Sequence, residues 1–266
     1  MTALRPLRIA ARAAGLIAVT IALSPVHALG LGLTAGRPRA RGRWRGRFLR
    51  LWSRAFLRVL GVRVAWRGPA PEPPFLLAAN HLSYLDILVL ASRLPTTFVA
   101  KSEVAGWPVL GPLCSSFGTL FVDRSRKGDL PRLLGRLEEA LSAGCGVVFF
   151  PEGTSSAGAD VLPFRSPLLA LPAASGHPVH AAALAYRTSP PEAPAHLSVC
   201  WWGDMPFGAH LVPLLGLPRI EAEVAVAAEP LVDSDRKALA LALREAVLTE
   251  FSPSAPVNFV PEGDRP

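Results

Sequence analysis

The sequence is poor in the residues that build disulfide frameworks, zinc sites and phosphate-binding loops. It contains three cysteines, Cys114, Cys145 and Cys200, among 266 residues. Because an odd number without metal-ligand spacing suits neither a disulfide framework nor a zinc site, we expect reduced thiols in a cytoplasm-facing domain. The chain has neither a Gly-x-Gly-x-x-Gly stretch nor a P-loop sequence, and it has no internal repeat. These absences argue against a metal centre and against the two commonest glycine-rich phosphate loops.

Acidic residues are absent from the first 70 positions, which hold fourteen arginines and no lysine. The rest of the chain carries fourteen basic and twenty acidic residues, a formal charge of −6. A basic N-terminal block of this kind binds either nucleic acid or an anionic membrane surface. The residues between the arginines are aliphatic and aromatic, so the sequence favours membrane lipids as partners and predicts no nucleic-acid partner.

Residues 13–36 form an apolar segment that is free of charged side chains and long enough to cross a bilayer. Pro25 and His27 interrupt it, so it is either one kinked span or two short helices that enter the membrane and return. Arginines flank both ends, which fits a re-entrant hairpin better than a single crossing. A secretory signal peptide is the alternative, although no cleavage site of small residues follows the segment.

Residues 43–60 are predicted to form a basic amphipathic helix. Its apolar stripe consists of Trp44, Phe48, Leu51, Trp52, Ala55, Phe56 and Val59, and its other side of Arg43, Arg47, Arg50, Arg54 and Arg58. We interpret it as a helix in the headgroup plane, with packing on the domain as the alternative. Residues 1–68 are therefore assigned to a membrane-associated helical segment. The proline-rich stretch 69–74 marks a boundary before a second domain, 69–266.

Beyond this boundary, short apolar runs alternate with helical patterns, which predicts an α/β layered domain with a mostly buried mixed sheet flanked by helices. The runs that we interpret as strands are 75–79, 97–100, 119–122, 146–150 and 181–185. The stretches that we interpret as helices are 87–94 and 130–143.

Polar clusters follow three of these predicted strands. His81 and Asp86 come after the first, where a carboxylate bonded to one imidazole nitrogen would leave the other free to act as a general base. Arg124 follows another strand and could hold a phosphate. Glu152, Gly153 and Thr154 follow a third, where a carboxylate could hold substrate hydroxyls. Ligands bind at this edge of open α/β sheets, so three clusters there indicate a site.

Together these clusters resemble the glycerolipid acyltransferase family of bacterial 1-acyl-glycerol-3-phosphate acyltransferases. The resemblance rests on Asn80-His81-x-x-x-x-Asp86, Gly118-x-x-Phe121-x-x-Arg124 and Phe150-Pro151-Glu152-Gly153-Thr154, and it extends over about residues 60–186. It departs from the family at residues 179–181, where Val-His-Ala replaces the usual Val-x-Pro near the acyl pocket.

The resemblance implies acyl transfer from acyl carrier protein or coenzyme A to the free hydroxyl of a lysolipid, with no metal and no bound cofactor. His81 would be the base and Asp86 its orienter. The acceptor headgroup would be held by the substrate-binding residues Arg124, Glu152, Gly153 and Thr154, with Lys101 and Arg165 as helpers. Residues 69–266 would then be a catalytic domain facing the cytoplasm from the inner membrane.

Two acceptors remain open. Lysophosphatidate, giving phosphatidic acid for phospholipid biosynthesis, is the one that the resemblance favours. The second is lyso-ornithine lipid, because residues 201–210 and 154–156 also look similar to the acyltransferases that act on it. A membrane lipid-binding protein without activity is the non-enzymatic alternative.

Overall fold

The computed structural model describes residues 4–123 and 129–259. Within these ranges the chain forms one seven-stranded mixed sheet, with strand order β1-β7-β6-β2-β5-β3-β4. The strands are β1 (Val62–Arg67), β2 (Phe75–Ala79), β3 (Thr96–Lys101), β4 (Leu120–Val122), β5 (Gly146–Phe149), β6 (Val179–Arg187) and β7 (Ile220–Val226). Strands β2 to β6 run parallel, whereas β7 is antiparallel to β6 and parallel to β1.

Helices cover both faces of this sheet. In the described part of the chain they are α1 (Leu4–Leu33), α2 (Pro38–Leu60), α3 (Leu85–Ala91), α4 (Leu110–Ser116), α5 (Asp129–Ser142), α6 (Ala170–Ser175), α7 (Ala195–Ser198), α8 (Phe207–Leu215) and α9 (Arg236–Glu250). Short 3₁₀ turns occupy Ser102–Gly106 and Pro167–Leu169.

The centre of the sheet is apolar on both faces because helices cover both. All five residues of β2 are buried, and alternate residues contribute to different cores. Leu77 and Ala79 join the core beneath α2 and α3, while Leu76 and Ala78 join the core beneath α5 and α9. The predicted fold class is confirmed, and each of the five predicted strands is present with ends shifted by no more than two residues, β6 being two residues longer at each end.

Helices α1 and α2 form an antiparallel hairpin that packs against the sheet domain. Helix α1 is continuous through Pro25, so the possibility of two short helices is excluded. It is the one described helix that is long and apolar enough to cross a membrane. Gly30 allows the close approach of the two helices, since a Cβ atom there would overlap the Trp44 indole. Near its other end, Arg8 and Arg12 donate to carbonyl oxygens of Gly216 and Leu215 at the end of α8.

The aromatic side of α2 faces the protein and not lipid. Phe48 and Trp52 are buried, and both rings contact Phe117. Leu51, which we placed in the apolar stripe, is instead exposed. The interpretation of this stripe as a membrane-facing surface is therefore wrong, because the aromatic rings complete the core beneath the sheet. Strand β1 also lies inside the segment 1–68 and pairs with β7, so this segment contributes to the sheet.

Candidate active site

The loop after β2 is fixed by Asn80, which extends the strand pairing with its side chain. The Asn80 amide nitrogen donates to the Leu184 carbonyl at 3.0 Å, and its oxygen accepts from the Leu184 N–H at 2.7 Å. Both groups are fully buried. The chain then leaves the sheet at His81 and enters α3 at Leu85. His81 is thus presented at the carboxyl edge of the parallel strands, as predicted.

His81 and Asp86 are in direct contact. The distance from His81 Nδ1 to Asp86 Oδ2 is 2.7 Å. Since an ionised carboxylate can only accept, Nδ1 carries the proton and Nε2 is the basic nitrogen. The imidazole stacks on Phe150 with 4.1 Å between ring centroids, and its side chain is 20% exposed. The ring is therefore held in one orientation while one edge stays accessible to a substrate.

Asp86 is completely buried and accepts four hydrogen bonds. Besides His81, Oδ2 accepts from the backbone N–H groups of Leu82 at 2.7 Å and Ser83 at 3.0 Å. Oδ1 accepts from the Tyr186 hydroxyl at 2.6 Å. Burial, followed by the charge of Asp86, raises the pKa of Tyr186, so its hydroxyl keeps its proton and donates. Four donors offset the desolvation of this carboxylate and hold it against the imidazole.

Glu152 lies behind the His81 loop. It is 2% exposed, and its two oxygens accept from the backbone N–H groups of His81 at 3.3 Å and Leu162 at 3.2 Å. Burial raises the pKa of Glu152 to about 8, although these two hydrogen bonds act in the opposite direction. The Glu152 carboxyl group thus connects the loop after β2 to the segment after β5. This differs from the predicted contact with an acceptor headgroup, because both oxygens already face the backbone.

The other predicted site residues are more open. Gly153 adopts a positive φ of 80°, which favours glycine, and Thr154 after it is exposed. Lys101 is exposed at the end of β3, and Arg165 is exposed while its N–H donates to the Pro151 carbonyl at 2.9 Å. Arg124 lies outside the described residues.

The segment 199–210 crosses over the loop that carries His81. The Trp201 N–H donates to the Leu82 carbonyl at 2.7 Å, and the Ser155 hydroxyl donates to the Trp201 carbonyl. The Tyr84 hydroxyl lies 3.0 Å from His210 Nδ1. Sequence similarity singled out this stretch without assigning it contacts, and the structure places it against the loop that carries His81.

Tyr186 is the residue of this site that sequence reasoning missed. It ends a long apolar run, and a buried tyrosine hydroxyl normally requires a hydrogen-bond partner. That requirement was the signal from which a role for Tyr186 could have been predicted. The partner could not be chosen from sequence, because Tyr186 and Asp86 are 100 positions apart.

Residues 62–185 match the family model described as Acyltransferase. The chain is 36% identical over 180 residues to a 1-acyl-sn-glycerol-3-phosphate acyltransferase of Neisseria meningitidis, covering 64% of this chain and 69% of that protein. It is 35% identical over 269 residues to a lyso-ornithine lipid O-acyltransferase of Pseudomonas aeruginosa, covering 97% and 98%. The crystal structure of a 1-acyl-sn-glycerophosphate acyltransferase from Thermotoga maritima has the same fold, with a TM-score of 0.66 at 20% identity over 92% of this chain and 95% of that one.

Proposed function

The chain belongs to the acyltransferase family, and on that premise we propose that it transfers an acyl group from acyl carrier protein or coenzyme A to the free hydroxyl of a lysolipid. The contact between His81 and the fully buried Asp86 carries this proposal. A base fixed in one tautomer and open on its other nitrogen suits the deprotonation of a hydroxyl.

In the proposed reaction, His81 Nε2 takes the proton of the acceptor hydroxyl as its oxygen attacks the thioester carbonyl carbon. The negative charge of Asp86 stabilises the imidazolium that forms. When the tetrahedral intermediate collapses, the carbon–sulfur bond breaks and the imidazolium returns the proton to the leaving thiolate. The products are an ester and a free thiol, and no protein nucleophile takes part.

For the acceptor headgroup we propose Arg124, Lys101 and Arg165 as cationic contacts, with Gly153 and Thr154 at the rim. Lys101 supports this because it ends β3 at the same sheet edge as His81 and is exposed. We assign Glu152 a positioning role, since it holds the backbone of His81 from behind.

We further propose that the protein is bound to the inner membrane with its catalytic domain facing the cytoplasm, where thioester donors are made. The outer side of α1 supports the membrane association. Its exposed apolar side chains are Leu4, Leu7, Ile17, Ile21, Val26, Leu29 and Leu33. A contiguous apolar face of this size indicates a membrane or a protein partner, and the arginines of α2 beside it favour anionic lipid.

Between the two acceptors, we favour lyso-ornithine lipid. The alignment with the Pseudomonas aeruginosa protein covers 97% of this chain, whereas that with the Neisseria meningitidis protein covers 64%. An alignment over 97% of this chain includes the segment 199–210, which contacts the loop that carries His81. Lysophosphatidate remains the second candidate, supported by the 36% identity to an enzyme named for it.

A panel of acceptors tests the proposal. Membranes containing the full chain and one labelled acyl thioester should acylate lyso-ornithine lipid, and His81→Ala should abolish transfer. His177→Ala, in the turn before β6 and away from the site, is the matched control and should retain activity. Normal transfer by His81→Ala would overturn the mechanism. Transfer to lysophosphatidate alone would select the second acceptor, and binding without turnover across the panel would favour a non-enzymatic protein.

A further inference from the structure

A basic cavity lies at the amino ends of the parallel strands, whereas His81 lies at their carboxyl ends. It has a volume of about 550 Å³, within the range of roughly 300–1,000 Å³ typical of small-molecule sites. Its walls come from the amino ends of β3 and β4, the second half of α5 and the start of α2. Because β3 is six residues long and a strand rises about 3.3 Å per residue, roughly 15–20 Å separates this cavity from the catalytic edge.

The charged residues that line the basic cavity are mostly arginines. They are Arg37, Arg41, Arg45, Arg136 and Glu139, an excess of three positive charges. Within residues 4–123 and 129–259, none of the four arginines forms an ion pair. Four cations around one concave site repel each other, so the arrangement favours a bound anion.

Two buried donors at this cavity have no hydrogen-bond partner among the described residues. They are Nε of Arg45 and the hydroxyl of Thr97, a residue that is 8% exposed. Both residues line the cavity. Burial, followed by the charge of Arg41, lowers the pKa of Arg45. Buried donors in folded proteins are normally paired, so each such group calls for a partner. A ligand with negatively charged oxygens would pair with the surrounding guanidinium groups and bring acceptors close to both donors.

The position of the cavity points to a membrane source for that anion. Gly36, Arg37 and Pro38 form part of its wall and follow directly after the end of α1. The last turn of α1 exposes Leu29 and Leu33, at 65% and 69%. A lipid whose acyl chains lie along these leucines would hold its headgroup at the height of the cavity.

We propose that the basic cavity binds the phosphate group of an anionic lipid headgroup, at a site distinct from that of acyl transfer. The inference rests on the proposed membrane association and not on the reaction. A phosphate held between Arg45 of α2 and Arg136 of α5 would connect the helical hairpin to the far side of the sheet. It would thereby fix the orientation of the domain on the membrane.

Binding of a short-chain lipid by the full-length protein in neutral detergent micelles tests this proposal. The probe is labelled dioctanoyl phosphatidylglycerol, and the variants are Arg136→Gln and the isosteric Thr97→Val. Loss of one charged contact should weaken binding about tenfold in Arg136→Gln, and Thr97→Val should weaken it several-fold. The matched control is Arg132→Gln, on the same helix but exposed and outside the cavity lining. It should bind within twofold of the natural chain.

Further arms identify the source of the phosphate. Inorganic phosphate should compete only weakly and dioctanoylglycerol should not compete, whereas equal competition by inorganic phosphate would overturn the lipid assignment. Equal affinity of Arg136→Gln and the natural chain would overturn the site itself. His81→Ala should bind as the natural chain does, so this binding can be established even for a chain that transfers no acyl group. Circular dichroism of each variant excludes misfolding as the cause of a loss.

Discussion

Substitution of Asp86 by asparagine separates the two contributions of this residue, its charge and its geometry. In the natural site three N–H donors converge on Oδ2, at 2.7 Å from His81, 2.7 Å from Leu82 and 3.0 Å from Ser83. An NH₂ group in that position would face all three donors, so the asparagine oxygen must occupy it. The NH₂ group then points to Tyr186, whose hydroxyl oxygen can turn to accept. The histidine keeps its tautomer, and only the negative charge is lost.

The magnitude follows from the interaction between the imidazolium and the carboxylate. Opposite charges about 4 Å apart in surroundings of effective dielectric constant about 20 attract by about 4 kcal/mol. Because about 1.4 kcal/mol corresponds to a factor of ten in rate, Asp86→Asn should lower kcat about 10³-fold. The KM for the lysolipid should change little, since Asp86 is buried behind His81 and does not face the acceptor.

Initial rates of acyl transfer at saturating donor measure this effect. His81→Ala, which removes the base, sets the lower limit of activity. A rate within tenfold of the natural chain would refute the role of the buried charge. A rate as low as that of His81→Ala would refute the argument that three donors preserve the tautomer.

Three further substitutions test the surroundings of this pair. Tyr186→Phe leaves a buried oxygen of Asp86 without its donor, so it should cost about 1–3 kcal/mol of stability and lower kcat about tenfold; an unchanged kcat would contradict the contact. Glu152 holds its proton more tightly in the folded state, with a pKa of about 8 against 4.5, so its stabilising contribution is complete below pH 4.5 and is lost as the pH rises through 8. The free energy of unfolding of the natural chain should therefore fall by up to roughly 5 kcal/mol over this range, and this fall should be absent in Glu152→Gln. Denaturant titrations of both chains measure it, and parallel pH profiles would contradict the raised pKa of Glu152. Asn80→Ala leaves the N–H and carbonyl groups of Leu184 unpaired and should lower the free energy of unfolding by about 2–4 kcal/mol, which a normal denaturation midpoint would contradict.

The sequence predicted the central strands and the His81–Asp86 pair because both depend on local patterns. Continuous apolar runs identify buried strands, and a polar residue directly after such a run must lie at the edge of the sheet. Strands β1 and β7 were not predicted. Strand β1 has one buried residue, Val62, followed by exposed and half-buried ones, and it contains two arginines, so it resembles the basic segment before it.

The orientation of the α2 aromatic stripe could not be decided from sequence. An amphipathic pattern fixes which residues share a side of a helix but not whether that side meets lipid or protein. The partner that decided it, Phe117, lies more than sixty positions away from Phe48 and Trp52. Tyr186 was missed for the same reason, because its contact depends on how distant strands are placed side by side.

The packing of α1 along the domain has a practical consequence for attempts to obtain a water-soluble enzyme. Deleting a terminal membrane anchor usually leaves a folded remainder, but α1, which we propose as the anchor, also packs against the core with its inner side. A chain that began at α2 would expose Trp44 and Phe48, which stack with His27 of α1. It would also leave the carbonyl groups at the end of α8 without the guanidinium donors of Arg8 and Arg12. Such a chain should aggregate in the absence of detergent. Solubility must therefore be sought by replacing the outward-facing leucines and isoleucines of α1 while its inner side is retained.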